Sequence, residues 1–87
     1  MNTLQPVLTF FESHNWCQFN YHDSGTDSYC VAGAIIAVSR ADAVISDRLW
    51  NQLRHRISKM HLLPFEWNDA PGRTFEDVIE MLKREDV

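Results

Sequence analysis

No stretch of this chain approaches the ~20 consecutive apolar residues that a membrane-spanning helix needs. The longest run without a polar side chain, Cys30-Val31-Ala32-Gly33-Ala34-Ile35-Ile36-Ala37-Val38, has nine residues, so no membrane association is expected. Cysteine is scarce too. Cys17 and Cys30 are the only two; they could pair in principle, but free thiols are the expectation for a cytoplasmic protein. The start, Met1-Asn2-Thr3-Leu4-Gln5-Pro6, lacks the basic patch and apolar run of a secretory signal and points the same way. Basic residues are few, eight Lys and Arg against twelve Asp and Glu, for a formal charge of −4. That balance disfavours nucleic acid as a partner, because non-specific binding depends on neutralising phosphates. The acidity is also too slight and too evenly spread for a nucleic-acid mimic. Internal repeats, low-complexity tracts and linkers are missing.

What remains is a chain of 87 residues, enough for a single domain, expected to be a monomer or a dimer. A chain of this size buries only about 60–65% of the surface its unfolded form exposes, so its stability should be modest. Its ten aromatic residues can furnish a core without a metal, a cofactor or a disulfide.

Periodicity then places the elements. Thr3 to Glu12 reads as a first helix, with Thr3 as its cap, Pro6 in its first turn and Leu4, Val7, Leu8 and Phe11 on one face. From Trp16 to His22 the period drops to two, Cys17, Phe19 and Tyr21 alternating with Gln18, Asn20 and His22, the pattern of a half-buried strand. Asp23 to Ser28 has the composition of a loop and offers Asp27 or Ser28 as a cap for the apolar segment beyond it. That segment, Tyr29–Ser39, carries β-branched residues that suit a strand. Its Ala32, Gly33, Ala34 and Ala37 offer a strand little to pack, however, and in a helix Gly33 and Ala37 are four apart with Ala34 beside them, so that a neighbouring helix can approach closely. It reads as a central buried helix.

Ser46 is the expected cap of a third helix, Asp47 to Met60, burying Leu49, Trp50, Leu53, Ile57 and Met60 and turning Arg48, Asn51, Gln52, His55, Arg56 and Lys59 outward. His61 to Trp67 again alternates, through Leu63, Phe65 and Trp67, and is expected to pair with the Trp16–His22 strand as a short ribbon, Pro64 confining the pairing to an edge. Ala70-Pro71-Gly72-Arg73 suits a type II turn, and Thr74 with Asp77 suits a capping box for a last helix burying Phe75, Val78, Ile79 and Leu82. Residues 84–87 are expected to fray, and Glu80 to pair with Arg84. The fold class is therefore mainly α (α+β), a compact four-helix domain with a central buried helix and a short two-stranded β-ribbon.

Three features together carry a family resemblance: Trp16 after the first helix, the Cys30-Val31-Ala32-Gly33-Ala34-Ile35 helix preceded by Tyr29, and Trp67-Asn68-Asp69-Ala70-Pro71-Gly72-Arg73-Thr74 leading into the last helix. The chain resembles a group of small uncharacterised proteins of bacteria and phages, a domain of unknown function, over most of its length. The resemblance implies no activity. It makes a phage origin plausible, and small acidic phage proteins often work by binding a host protein.

The residues allow several chemistries, each with a plainer alternative. Cys30 in the first turn of a helix is where a helix dipole lowers a thiol pKa; with one of His14, His22, His55 or His61 and with Asn68 or Asp69 it could form a thiol-enzyme trio. The plainer reading makes Cys30 a small core residue. His14, Cys17, His22 and Cys30 are zinc-ligand types, but two, four and seven intervening residues do not match paired knuckles. The basic side of the third helix, Arg48, Arg54, His55, Arg56 and Lys59, could enter a DNA groove, or it could be a solvated face. Trp67, Asn68, Asp69, Pro71, Gly72 and Arg73, with Cys30 and Gly33, read as structural: Trp67 anchors the turn, Asn68 and Asp69 bond nearby amides, and Arg73 folds back on Asp69. Tyr21, Asp23 and Asp27 on the 21–27 loop, or Arg48, His55, Arg56 and Lys59 on the outer face of the third helix, are the candidate contact residues. The expectation is a non-enzymatic, phage-type protein that binds and modulates a host protein, such as a defence or transcription component. DNA binding is the alternative, and a Cys30-dependent thiol enzyme the third.

Overall fold

The computed structural model describes residues 1–57 and 63–86. The apolar run folds as a helix, α2 (Val31–Ser39), whose Val31, Ala32, Gly33, Ala34 and Ile35 are all buried. Small residues keep this helix thin, and α1 (Gln5–Phe10), α3 (Ala43–Ile57), α4 (Pro64–Asn68) and the sheet all pack on it. The last helix, α5 (Phe75–Lys83), packs on α1. One cluster of side chains forms the core, including Leu4, Val7, Phe11, Val31, Ile35, Leu49, Leu53, Ile57, Trp67, Val78 and Leu82. Burial on this scale stabilises at about 25 cal/mol per Å² of apolar surface.

Among the described residues there are five helices and a three-stranded sheet, so the α+β class holds while the four helices and two-stranded ribbon do not. The strands are short: β1 (Asn15–Trp16), β2 (His22–Asp23) and β3 (Ser28–Tyr29), in the order β1-β3-β2. Asn15 and Trp16 run parallel to Ser28 and Tyr29, and His22 and Asp23 run antiparallel to Tyr29 and Ser28. The expected Trp16–His22 strand is thus interrupted, and the 23–28 loop supplies strand residues at both ends.

The expected partner strand at 63–67 is a helix instead. Pro64 occupies its first turn, where a missing N–H costs nothing, and Glu66 accepts from the Leu63 N–H at 3.4 Å. The part of that expectation on His61 and Leu62, like those on Lys59 and Met60, lies outside the described residues.

Caps differ from expectation in three helices. Leu4, not Thr3, precedes α1, because the Thr3 side chain is spent on Asp86. Cys30, not Asp27 or Ser28, caps α2, its Sγ accepting from the Gly33 N–H at 3.3 Å. Asp42, not Ser46, opens α3, its Oδ1 accepting from Val44 and Ile45 at 2.9 and 3.2 Å, so the helix starts one turn early. The capping box of Thr74 and Asp77 and the turn with Gly72 at φ +81° form as expected.

Arg56 does not face out. Its guanidinium is buried and uses all five of its N–H groups, reaching Gln52 Oε1, the Met81 and Leu82 carbonyls, Asn2 Oδ1 and Asp86 Oδ1 at 2.7–3.1 Å. It thereby adds to the bonds that the Arg84 N–H and Asn2 Nδ2 make to the carbonyls at the end of α5. The 84–86 segment does not fray either: Asp86 also accepts from the Thr3 N–H and Oγ1, and its own N–H donates to the Met1 carbonyl at 2.8 Å.

Candidate functional site

Asn68, at the end of α4, is fully buried, and its side chain ties four segments together. Oδ1 accepts from Trp16 Nε1 at 2.6 Å and from the Val31 N–H at 3.0 Å, so it helps to cap α2. Nδ2 donates to the Cys17 carbonyl at 3.0 Å and to Asp69 Oδ1 at 2.9 Å. Most of these partners are remote in sequence, not the nearby amides that turn chemistry suggests. Asp69 Oδ1 also accepts from the Phe19 N–H at 2.9 Å. Gln18 Nε2 donates to the carbonyls of Asn68 and Ala70, both at 3.1 Å. Arg73 does not reach Asp69: its Nε donates to the Trp67 carbonyl at 2.8 Å and its guanidinium stacks 4.0 Å from the Trp67 ring centroid, a cation–π contact that seals the far side of the turn.

Four of these bonds hold residues 17–19. There Phe19 adopts φ +70°, a left-handed conformation that costs a residue with a Cβ about 1–2 kcal/mol. Such strain persists only where its surroundings over-determine it. The next residues cross the start of α2, and Gly33 is what lets them pass: a Cβ there would lie 1.9 Å from the Tyr21 carbonyl oxygen, which accepts the Cys30 N–H at 3.3 Å. The close neighbour admitted by the small residues is therefore a loop rather than a helix.

The loop so held turns its aromatic side chains to solvent. Phe19 is 76% exposed, Tyr21 60% and Phe65, on α4, 47%. With Asn20, Cys30 and Asp69 they line a cleft of about 270 Å³, room for one long side chain but below the usual size of a cofactor pocket.

Cys30 lies at this cleft as a buried cap, and burial pushes its thiol pKa up, outweighing the Gly33 and Ala32 amides that favour the thiolate. Cys17 is raised for the same reason. This corrects the expectation of a helix-lowered pKa. Neither His14 nor His22 bonds Cys30: His14 pairs with Asp27 at 2.8 Å and stacks on Phe10, and His22 stacks on Tyr29. His14 and Asp27 thus resemble the base and orienting acid of a triad, without a described hydroxyl or thiol bonded to the ring. No three His, Cys, Asp or Glu side chains among the described residues are placed to hold a metal ion.

Of the candidate contact residues, Tyr21, Asp23 and Asp27 share the exposed 21–27 loop, with Asp23 Oδ1 turning the chain through the Gly25 N–H. Arg48 and His55 are exposed on α3, Arg56 is buried, and Lys59 lies outside the described residues. Alternation alone assigns Phe19 and Phe65 to the inner faces of strands; the only hint against that is the loop-forming company of Asn20 and Asp23 near Phe19.

No helix among the described residues is long and apolar enough to cross a membrane. The chain belongs to DUF6197, a family of unknown function, whose family model matches residues 2–84. No curated protein and no solved structure matches it.

Proposed function

We propose that this protein is a non-enzymatic binding protein that engages a host protein through the aromatic face around Phe19, Tyr21 and Phe65, acting in the cytoplasm as a phage-type modulator. One observation carries the reading: a polar network built on buried Asn68 and half-buried Asp69 and Gln18 holds a strained loop whose own aromatic side chains, Phe19 and Tyr21, are mostly exposed. Exposed aromatics on a rigid frame are the usual anchors of protein interfaces. The acidic 23–27 stretch beside them supplies a polar rim. A thiol enzyme is disfavoured by the raised pKa of Cys30, and DNA binding by the loss of Arg56 to the interior.

The test is quantitative affinity capture from a bacterial lysate with the wild type, the double variant Phe19→Ala with Tyr21→Ala, and Arg48→Ala. The expected result is a specific partner lost at least tenfold with the aromatic double variant and retained with Arg48→Ala. Capture that is absent, or equal for all three proteins, overturns the reading.

A further inference from the structure

The cleft between the 19–21 loop and α4 carries a charge that nothing in the described structure answers. Asp69 lines it together with Phe19, Tyr21 and Phe65. Asp69 Oδ1 is used twice, by the Phe19 N–H and by Asn68 Nδ2, whereas Oδ2 accepts no hydrogen bond from a described residue. No described cation pairs with this carboxylate: the ion pairs are Met1 with Glu85, His14 with Asp27, and Arg56 with Asp86. The nearest arginine in sequence, Arg73, is held against Trp67.

Three aromatic rings and one uncompensated carboxylate around a space of about 270 Å³ are complementary to a cation with an apolar stem. The ring faces attract positive charge through their quadrupoles, more strongly where water is thinned out. Asp69 adds a full negative charge and a free acceptor, and Glu66 follows Phe65 on the exposed side of α4. Neutral apolar ligands would leave Asp69 desolvated without a partner, and anions would be repelled. Arginine fits best among biological cations, because its planar, weakly hydrated guanidinium stacks on rings while donating to a carboxylate oxygen.

We infer that the Phe19–Tyr21–Phe65–Asp69 cleft is a receptor for a basic side chain, an arginine of the partner protein, with Asp69 as its counter-charge. This rests on the protein-binding reading above and names the chemistry of the partner's anchor. The Phe19 N–H holds Asp69 Oδ1 at 2.9 Å, which ties the carboxylate to the loop whose Phe19 lines the same space.

The test is a titration of isotope-labelled protein, followed by NMR, with N-acetyl-arginine N-methylamide and with its neutral citrulline counterpart. Saturable shifts at the amides of Phe19, Tyr21 and Phe65 are expected for the arginine probe, with a dissociation constant on the order of millimolar, weakening as salt is raised. The citrulline probe should bind at least tenfold more weakly. Asp69→Asn, which keeps an oxygen for the Phe19 N–H, should lose the arginine response at least tenfold. Because that variant could disturb the loop, Tyr21→Ala, which removes only a cleft wall, should lower the response as well. No saturable shift in the wild type, equal binding of both probes, or shifts confined to α3 would overturn the assignment. Choline binding tenfold more tightly than the arginine probe would also overturn it, in favour of a small free cation. Failure of the arginine probe with capture still dependent on Phe19 and Tyr21 removes the cation assignment alone. The converse outcome removes the protein-binding reading alone.

Discussion

Asn68 shows how one side chain can decide where a surface stands. Its amide satisfies an indole N–H, a helix-opening N–H and a loop carbonyl at once, and each buried group left without a partner costs about 1–3 kcal/mol. Asn68→Ala should therefore lower stability by about 3 kcal/mol or more, read as a fall in the denaturant midpoint, with Trp16 fluorescence reporting loss of its partner. A change below about 1 kcal/mol would contradict the role given to this residue. Cys30 makes the opposite case, a reactive residue type made inert by its place. Since burial raises its pKa, little thiolate exists near neutral pH, and the thiolate is the nucleophile. Iodoacetamide at pH 7 should label Cys30 only after denaturation; rapid labelling of the folded protein, followed by peptide mass spectrometry, would revive the thiol-enzyme reading.

At the scale of elements, the pivotal contact is between α2 and the loop that crosses it. Gly33→Ala would gain about 1 kcal/mol of helix propensity, yet its Cβ would collide with the backbone of Tyr21. Overpacking of this kind typically costs about 1–3 kcal/mol, and more against a backbone that cannot retreat. The expected net loss is about 2 kcal/mol, a fall in melting temperature on the order of 10 °C for a domain of this size; an unchanged melting temperature would mean that the loop does not sit on α2. The elements also show what the sequence can disclose. α2 is legible because its small residues suit a helix better than a strand, and α5 because its apolar spacing and the Thr74–Asp77 box act within a few residues. α3 is legible in its stripe but not in its start, since Asp42 and Ser46 are equally good caps by type. The strand expected at Trp16–His22 keeps only its two ends in the sheet, and the one expected at His61–Trp67 is helical from Pro64. The alternation misleads because it assigns Phe19, Tyr21 and Phe65 to a buried face, and all three are exposed. The Asn68 network joins residues about fifty positions apart, and no local pattern announces such a bond. The cleft is therefore legible only in its pieces: Tyr21 as a contact residue and Asp69 as a turn residue.

At the scale of the whole molecule, the segment before α1 is fastened to the segment after α5. Arg56 and Thr3 both bind Asp86, and the bonds from Thr3, ahead of that from Arg56, hold the Asp86 carboxyl below the usual carboxylate range. A depressed pKa stabilises the fold above the ordinary value of about 3.9, and the contribution fades as pH falls through the folded-state value. The wild type should therefore melt above Asp86→Asn by a constant margin from about pH 5 upward, and the margin should shrink as pH falls below the ordinary carboxylate value and on through the depressed folded-state one. A margin independent of pH, measured by calorimetry, would assign the effect to packing rather than charge. Because the Asp86 N–H donates to the Met1 carbonyl and the Asp86 carboxyl accepts from Thr3, residues 1–3 and 86 lie side by side, and a substitution on either side of the clasp is felt on the other.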